Sequence, residues 1–322
     1  MQDIRPKVSI ILLNYNGYED TIDCFQSLQK VNYNNFEIVI VDNASPDQSM
    51  GKISAYMQDK RIEHILFEDP NTAMDNMLPK PKISLIQSGF NGGYGHGNNI
   101  GIKYALKNDA DYVLILNNDT VVEPDFLEPL VMLCEEDENI GIASGKIYFH
   151  DRPDTLWFIG GSLNPYTAKI THFNFNEKDT GQIPKKPINF ITGCMWLIPK
   201  KIFATIGFIN EDYFMYVEDL EYCQRVINKS YTLGISENSR VFHKAGAASG
   251  GHLSDFSTYW ISRNKIKFIS ANVKFPYKIT AYIYNLFIMP LRWLYKRKVN
   301  SFFIHIKGTI DAIFKGAIDV IK

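Results

Sequence analysis

The chain has 322 residues, of which 45% are hydrophobic and 21% charged, and its formal net charge is −1. This composition is ordinary for a soluble globular protein, and a net charge near zero gives no electrostatic reason to expect nucleic-acid binding. The charge is unevenly distributed, because residues 274–322 contain nine Lys or Arg and two Asp, a net charge of +7, against −8 for the preceding residues. This asymmetry marks the C-terminal segment as a separate functional piece.

The first 120 residues alternate predicted strands with predicted helices. Short apolar runs rich in β-branched residues predict strands at 8–13, 36–41, 61–67, 83–87 and 113–116. Apolar residues three or four positions apart predict a helix ending at Leu28 and helices at about 48–58 and 98–107. The polar, proline-containing segment 68–82 predicts a surface loop. Strands that alternate with helices in this way predict a parallel sheet with right-handed crossovers.

Polar residues follow three of the predicted strands, with Asn14-Tyr15-Asn16 after the first, Asp42-Asn43 after the second and Asn117-Asn118-Asp119 after the last. The carboxyl ends of parallel strands share one edge of the sheet, where open α/β sheets bind their ligands. Asp is a hard oxygen ligand suited to Mg²⁺ or Mn²⁺, so Asp119 is a candidate metal ligand. The triplet is also a good turn, and on the residues alone both interpretations stay open.

A glycine-rich segment, 89–101, overlaps the start of the helix predicted at 98–107. Glycine lets the backbone approach a ligand closely, and the amides of a helix N-terminus attract phosphate. The segment has neither the Gly-x-Gly-x-x-Gly spacing of a dinucleotide site nor the Gly-Lys-Ser/Thr of a P-loop. It therefore predicts either a phosphate-contacting loop or a flexible turn.

Three carboxylates, Glu218, Asp219 and Glu221, cluster where a helical pattern begins. Acids at a helix start can simply complement the helix dipole. Neighbouring carboxylates also raise one another's pKa, which suits a group that must accept a proton near neutral pH. Both roles remain open for this cluster.

Between these regions the pattern is mixed, with a hairpin-like stretch at 157–172 and a predicted strand at 189–198. His243 follows a strand-like run and precedes the glycine- and serine-rich loop 246–251. Such a position suits a metal ligand, although a single histidine is more often structural.

Together these segments resemble the inverting family 2 glycosyltransferases with the GT-A fold, over about residues 7–270, and within that family the bacterial rhamnosyltransferases. The resemblance lies in Val8–Gly17 (VSIILLNYNG), Val41–Ser45 (VDNAS), Gly89–Gly93 (GFNGG), Gly97–Gly101 (GNNIG), Leu116–Thr120 (LNNDT), Thr192–Ile198 (TGCMWLI), Glu218–Glu221 (EDLE) and His243. It implies an α/β fold in which a mostly parallel sheet carries a Rossmann-like nucleotide-binding half. The expected divisions are a catalytic domain at 1–272, with a donor half at about 1–120 and an acceptor half at 121–272, and a helical tail at 273–322.

The resemblance also implies roles for individual residues. Asp219 matches the catalytic base. A divalent ion, Mg²⁺ or Mn²⁺, would be held by Asp119, His243 and Asn117, although Asn117 stands where the family has Asp and its neutral amide is a weaker ligand. The donor sugar and acceptor would lie near Gly193, Cys194, Trp196 and Glu218. The nucleotide would contact Leu13, Asn14, Tyr15, Asp42, Asn91, Gly92, Gly93, Asn98, Asn99 and Asn118.

The expected reaction is the inverting transfer of a sugar from a nucleoside-diphosphate sugar to a glycan or polyprenyl-linked glycan, in cell-surface polysaccharide synthesis. The runs 156–161 and 259–264 resemble rhamnosyltransferases and favour dTDP-L-rhamnose as donor. A UDP-sugar, such as UDP-galactofuranose or UDP-N-acetylglucosamine, is the alternative. A nucleotide-sugar-binding protein without catalysis is disfavoured by the presence of Asp219. A nucleotidyltransferase is disfavoured because 14–17 contains no Lys or Arg.

The tail from 275 to 322 predicts amphipathic helices that lie on the cytoplasmic face of a membrane. Its aromatic and apolar residues flank the basic cluster Lys296-Arg297-Lys298, a combination that favours an anionic lipid surface. The alternatives are that these helices pack on the catalytic domain or form the seam of a homodimer.

The four cysteines form no Cys-x-x-Cys pair and lie in apolar contexts, which predicts buried thiols in a reducing compartment. The first residues lack the apolar segment of a signal peptide, and the apolar stretch 279–291 is shorter than the roughly 20 residues that span a bilayer. These features predict a cytoplasmic protein that is peripheral on the inner face of the cell membrane.

Overall fold

The computed structural model describes residues 5–75, 81–244 and 254–315. The strands in these ranges are β1 (Val8–Asn14), β2 (Phe36–Asp42), β3 (Ile65–Phe67), β4 (Ile83–Gln87), β5 (Tyr112–Asn117), β6 (Thr120–Val122), β7 (Ile140–Phe149), β8 (Arg152–Phe158), β9 (Gly161–Asn164), β10 (Lys169–His172), β11 (Met195–Pro199) and β12 (Thr232–His243). The helices are α1 (Tyr18–Leu28), α2 (Ser49–Asp59), α3 (Pro70–Asp75), α4 (Gly93–Lys107), α5 (Glu128–Glu136), α6 (Lys200–Ile206), α7 (Glu218–Asn228), α8 (Asp255–Asn272), α9 (Tyr277–Ile283), α10 (Met289–Tyr295) and α11 (Val299–Phe314).

A ten-stranded sheet forms the centre of the described part of the chain, with the strand order β3-β4-β2-β1-β5-β11-β7-β12-β6 and with β8 paired to β7. The first five strands in this order are mutually parallel, as predicted, whereas β11 runs antiparallel to β5. Helices cover both faces of a parallel sheet, so its strands are apolar along their whole length. Accordingly, Ile10, Ile11 and Leu114 have no exposed surface.

The polar ends of the parallel strands lie side by side. Asn14 of β1 is in register with Asp42 of β2, and Leu13 is in register with Asn117 of β5. The predicted meeting of these three strand ends at one edge is therefore confirmed.

The segment 68–82 was expected to be a loop, but it contains helix α3. Asp69 caps this helix, because its carboxylate accepts hydrogen bonds from the backbone N–H groups of Asn71 and Thr72, at 2.8 and 3.0 Å. Pro70 occupies the first helical position, which suits its fixed φ and missing N–H. The Asp-Pro pair was thus a helix-start signal inside a segment that is otherwise polar, and 76–80 lie outside the described residues.

The glycine-rich segment is also helical, because α4 begins at Gly93 and not near residue 98. A Cβ atom on Gly97 would lie only 2.2 Å from Leu13 Cδ1, so glycine lets α4 pack directly on β1. Glycine thus allows a close backbone approach here, as predicted, and the group that the backbone approaches is strand β1 of the protein itself. Other predicted elements differ at their ends: β3 begins at Ile65, β11 begins at Met195, and the hairpin is formed by β9 and β10.

The C-terminal helices pack on α8 through one face. Tyr259 of α8 donates a hydrogen bond to Asp311 of α11 at 2.7 Å, and a Cβ atom on Gly308 would lie 2.4 Å from Ser262 Oγ. A π-helical turn, Tyr284–Ile288, joins α9 to α10. Within the described residues, no helix combines the length and apolarity that crossing a bilayer requires.

Candidate active site

Asp119 and His243 meet at the edge of the sheet. The triplet 117–119 ends β5 and leads into β6, which pairs with β12 so that His243 lies opposite Thr120. His243 Nε2 is 3.1 Å from Asp119 Oδ1. Both side chains are buried, and the backbone N–H of Lys244 donates to the Asp119 carbonyl at 2.9 Å. Two strands far apart in sequence thus hold a carboxylate and an imidazole at one point.

The atoms of this pair suit a divalent ion. Asp119 Oδ1 and His243 Nδ1 are buried and have no hydrogen-bond partner among the described residues, so the contact between the two side chains is not a well-formed hydrogen bond. Ligand atoms on one ion lie about 3 Å apart, which matches their separation. Within the described ranges, no group of three or more His, Cys, Asp or Glu side chains is arranged so that it could hold a metal ion. The two side chains would therefore leave several coordination positions for other oxygen atoms, including those of a phosphate.

Trp157 supports the histidine. Its ring centroid lies 4.4 Å from that of His243, with the two planes at 77°. Trp157 lies on β8, which pairs with β7 beside β12. The indole therefore restricts the orientation of the imidazole, although the sequence had suggested this run only as a donor-sugar signature.

Asp219 lies at the start of α7 and contacts the segment that directly precedes β11, the antiparallel neighbour of β5. Its Oδ2 accepts a hydrogen bond from the backbone N–H of Gly193 at 3.4 Å, and its Oδ1 accepts one from Leu220 at 2.8 Å. The carbonyl of Cys194, the next residue, accepts from the backbone N–H of Asn117 at 2.9 Å. Residues 193–194 thus connect the candidate metal ligands to the candidate base.

The environment of Asp219 favours its protonated form. Burial raises the pKa of Asp219 to about 6, although hydrogen bonds from the backbone of Leu220 and Gly193 act in the opposite direction. Burial, and then the charge of Asp219, raise the pKa of Glu218 well above its usual range. Glu218 Oε2 is buried without a hydrogen-bond partner in the described structure. Burial therefore disfavours the charged form of both carboxyl groups, and the charge of Asp219 further disfavours ionisation of Glu218.

The turn before Asp219 has an unusual backbone. Phe214, Tyr216 and Val217 have φ angles of 57°, 67° and 74°, in the left-handed region that non-glycine residues rarely occupy. The Phe214 carbonyl accepts a hydrogen bond from the backbone N–H of Tyr94 at 2.7 Å. A Cβ atom on Gly93 would lie 2.1 Å from that carbonyl oxygen, so only glycine fits there.

Asn264 of α8 holds this turn from the other side. Its amide nitrogen lies 2.6, 2.8 and 2.8 Å from the carbonyl oxygens of Tyr213, Met215 and Tyr216. Arg263 donates to Asn264 Oδ1 at 2.7 Å, which fixes the orientation of the amide. Both side chains are completely buried. The pair therefore determines the backbone that presents Asp219.

At the sheet edge where the nucleotide is predicted to bind, the carboxylate of Asp42 accepts hydrogen bonds from other residues of the protein. Asn14 Nδ2 donates to Asp42 Oδ1 at 2.6 Å, and Ser45 donates to the carboxylate through both its hydroxyl and its backbone N–H. Asp42 is completely buried, so here its carboxylate orders the turn at 42–45. Tyr15 is 45% exposed and presents its ring at the same edge. Asn118 donates to Thr21 at 2.9 Å, so it ties the triplet to α1.

Several other predicted nucleotide contacts stabilise α4. Asn91 Oδ1 accepts from Asn43 Nδ2 at 2.9 Å and from the Gly93 backbone N–H at 3.0 Å, and Gly92 directly precedes this helix. Asn98 donates to the Tyr94 carbonyl at 2.9 Å. Asn99 donates to and accepts from the Ile209 backbone and also bonds Glu211, all at 2.8–3.0 Å. The buried side chain of Asn99 is therefore committed to the protein and does not line the edge.

Trp196 is packed inside the protein. Its side chain has no exposed surface, its Nε1 donates to the Ile191 carbonyl at 3.1 Å, and its ring stacks on Tyr222 at 5.5 Å. The side chain of Cys194 is buried as well, and all four cysteines are free thiols. Trp196 belongs to the core because all five residues of β11 are buried, so both faces of this strand are covered. The structure thus gives the indole a packing role, and its contact with a sugar stays a prediction.

Tyr94 was missed by sequence reasoning. Its hydroxyl donates to the Gly193 carbonyl at 2.5 Å, and burial raises its pKa well above the usual range, with added effects from Glu218 and Asp219. Its position between two glycines of 89–101 was visible, but its contact spans 99 residues and no local pattern predicts it.

Comparisons with known proteins agree with this arrangement. The sequence profile of the family described as glycosyl transferase family 2 matches residues 9–207, more than half of the chain. The low-salt glycan biosynthesis hexosyltransferase Agl10 of Haloferax volcanii is 24% identical over 97% of this chain and 92% of its own length. The dTDP-rhamnosyl transferase RfbF of Shigella flexneri is 26% identical over 55% of this chain and 57% of its own length. A crystal structure of GalNAc-T7 with UDP, GalNAc and Mn²⁺ shares the fold, with a TM-score of 0.64 and 14% identity over 87% of this chain and 50% of that one.

Proposed function

The chain belongs to glycosyl transferase family 2 and is a glycosyltransferase with the GT-A fold, and we propose that it transfers L-rhamnose from dTDP-L-rhamnose, with inversion, to a hydroxyl of a glycan or polyprenyl-linked glycan. The observation that carries the mechanism is the connection of Asp219 to the 117–119 triplet through residues 193–194. A base and a diphosphate site on opposite sides of one segment suit an attack on the donor from the face away from the leaving group.

In this mechanism Asp219 accepts the proton of the acceptor hydroxyl as that oxygen attacks the anomeric carbon. Its raised pKa, about 6, makes it a stronger base than an ordinary aspartate while leaving it mostly ionised at neutral pH. Glu218, whose pKa burial raises well above its usual range, would donate a hydrogen bond to a sugar hydroxyl when it is protonated. The bond from sugar to phosphate breaks as the new glycosidic bond forms, and no enzyme nucleophile is required.

We further propose that Asp119 and His243 hold a divalent metal ion, with Asn117 beside them. Their buried, unpartnered atoms support this assignment, as does the Mn²⁺ bound by GalNAc-T7. A bound Mg²⁺ or Mn²⁺ neutralises charge on a departing diphosphate. Asp119 and His243 fix where such charge can be accommodated, and Asn118 keeps the triplet in place through Thr21.

The choice of rhamnose rests on the similarity to RfbF and to rhamnosyltransferases in the runs 156–161 and 259–264. The full-length protein should be incubated with dTDP-L-rhamnose, UDP-galactofuranose and UDP-N-acetylglucosamine, each with Mn²⁺, with Mg²⁺ and with EDTA. Release of dTDP, dependent on metal, is the expected result. Turnover of a UDP-sugar with none of dTDP-rhamnose would replace the donor and retain the mechanism. Turnover that is equal in EDTA would remove the metal assignment.

We also propose that the tail places the enzyme on the inner face of the cell membrane, where a polyprenyl-linked acceptor would lie. The tail helices expose large apolar side chains, among them Phe275, Phe287, Leu291, Tyr295, Phe303, Ile313 and Phe314. The surrounding positive charge complements an anionic lipid surface. Flotation with anionic vesicles should carry the full chain upward. A protein that stays at the bottom of the gradient and sediments as a dimer would assign this face to a second copy instead.

A further inference from the structure

A cleft lies between the tail and the catalytic domain, away from the strand edge that carries Asp119. It has a volume of about 180 Å³. Its walls come from three places: Lys169 at the start of β10, Lys265 of α8, and the tail from the π-helical turn through residue 296. The tail contributes two further cations and two aromatic rings, namely Arg292, Lys296, Tyr284 and Trp293.

The cleft collects four positive charges, and none of the residues that line it is acidic. None of the four cations forms an ion pair with a carboxylate among the described residues. Lys244, which directly follows β12, differs in this respect, because it forms ion pairs with both Asp20 and Asp23 at 2.7 Å.

The positive charge in the cleft contributes to a lowered pKa of two groups. The pKa of Lys265 is lowered to about 8, first by burial and second by the positive charge of Lys169. The neighbouring His305 has a lowered pKa, first from burial and further from Lys265, although its hydrogen bond to the Asn285 carbonyl opposes the shift. Lys169 and Lys265 thus repel each other, neither forms an ion pair with a carboxylate among the described residues, and a bound anion would relieve that repulsion.

Hydrogen-bond donors also point to an anion. Trp293 is more than nine-tenths buried, and its Nε1 has no hydrogen-bond partner among the described residues. An indole N–H can only donate, so its natural partner is an acceptor. Arg292 Nη1 is 3.0 Å from the Tyr284 hydroxyl, which brings the guanidinium to the same wall. The cleft thus offers four cations and an unpartnered indole N–H.

We propose that this cleft binds a phosphate or diphosphate group, and that the group is presented by a lipid at the membrane surface. Exposed apolar side chains lie close to the cleft in the tail, with Leu291 and Tyr295 62% and 90% exposed on α10, which carries Arg292 and ends directly before Lys296. A headgroup in the cleft would therefore have its hydrocarbon next to apolar side chains. The inference concerns binding by the tail and does not depend on the proposed sugar donor.

The test uses the full-length protein in EDTA and compares two charge-matched double variants. Arg292→Gln with Lys296→Gln removes two cations from the cleft, and Lys278→Gln with Lys307→Gln removes two from the tail outside it. Calorimetry with inorganic pyrophosphate should show binding weakened at least tenfold in the first variant and changed less than twofold in the second. Any binding at the sheet edge is common to both variants and cancels in the comparison.

Flotation distinguishes the source of the phosphate group. The variants should be mixed with phosphatidylcholine vesicles, with and without phosphatidylglycerol. Loss of flotation with anionic vesicles in the cleft variant, and retention in the control, supports a lipid headgroup. Weaker pyrophosphate binding with unchanged flotation supports a phosphate site that serves a soluble ligand. If the cleft variant matches the control variant in both assays, the cleft is not a phosphate site.

Lys265→Met provides a second test if the double variant folds poorly. It removes a desolvated cation that Lys169 repels, so the melting temperature without ligand should rise. The stabilisation that pyrophosphate gives to the wild-type protein should disappear. A variant that melts higher and still gains the wild-type stabilisation from pyrophosphate would exclude Lys265 from the site and overturn the proposal.

Discussion

The central sheet and the C-terminal helix α11 bury opposite kinds of side chain. In the parallel strands of the sheet the buried residues are mostly Ile, Val and Leu, and polar groups gather at the ends of these strands. In α11 the residues buried against α8 are Ser301, His305, Gly308, Thr309 and Asp311, whereas Phe303, Ile310, Ile313 and Phe314 are 48–78% exposed. A helix with polar residues inside and apolar residues outside is matched to apolar surroundings. The two regions therefore bury opposite kinds of side chain, and the exposed apolar face of α11 is the observation behind the proposed membrane contact.

The first prediction tests the polar edge of the sheet. Asp219→Asn keeps the shape of the side chain and removes the proton acceptor, so transfer should fall by ~10²–10⁴. Binding of the nucleoside diphosphate should be nearly unchanged when measured by calorimetry. Glu128→Gln is the matched control, because Glu128 also lies in the first turn of a helix, α5. Near-normal turnover in Asp219→Asn would leave Asp219 as an acid that only stabilises α7.

The second prediction contrasts burial in the two regions directly. Trp196→Ala should lower the free energy of unfolding by ~3–5 kcal/mol, because a completely buried indole leaves a cavity. Phe303→Ala should change it by less than ~0.5 kcal/mol, because that ring is 63% exposed. Chemical denaturation measures both. An equally large loss for Phe303→Ala would mean that the apolar face of the tail is packed in solution, as in a dimer.

The third prediction concerns the turn that presents the base. Asn264→Ala removes the contacts to three backbone carbonyls, and the displacement of Asp219 should lower transfer by ~10²-fold. A purely structural role would leave the pH dependence of the remaining activity unchanged, whereas a positioning role should shift its acid limb. Asn300→Ala in the tail loses only a contact to Asp255 and should behave like the wild type.

The fourth prediction follows from the raised pKa of Asp219. The base must be ionised, so kcat/KM should fall about tenfold per pH unit below pH 6 and level off above it. The contribution of Asp219 to the free energy of unfolding should instead fall as the pH rises. The folded-state pKa lies above the unfolded value of about 3.9, so this residue's contribution is fully present below pH 4 and is lost as the pH rises through 6. Asp219→Asn should abolish both effects, and an unchanged acid limb in that variant would assign it to another group.

The sequence predicted the fold well where local patterns decide it. The apolar runs located the parallel strands, and their shared direction brought Asn14, Asp42 and Asn117 together, as the register confirms. The Asn-Asn-Asp triplet and the Glu-Asp pair were visible for the same reason, since polar residues that end an apolar run stand out. Periodicity also marked the tail as helical and amphipathic.

Contacts between residues far apart in the sequence determine the features that local patterns did not predict. The close packing of α4 on β1 depends on the approach of Gly97 to Leu13. The hydrogen bond of the Asn99 side chain depends on the Ile209 carbonyl, which is 110 residues away in the sequence. The run at 259–264 was interpreted as a donor signature, whereas Asn264 contacts the turn before Asp219. Apolar spacing gave the period of α11 but not which face is buried, because burial there is set by the fit of small and polar residues against α8.

The turn at 214–217 has a consequence for the evolution and engineering of this protein. Left-handed backbone costs of order 1–3 kcal/mol per strained residue, and the β-branched Val217 is among the least tolerant of it. Val217→Gly would relieve that cost, but it would also remove a buried side chain and allow the base more conformations. The relieved strain and the lost burial are of similar size, so relaxing this turn is expected to lower turnover with little net change in melting temperature.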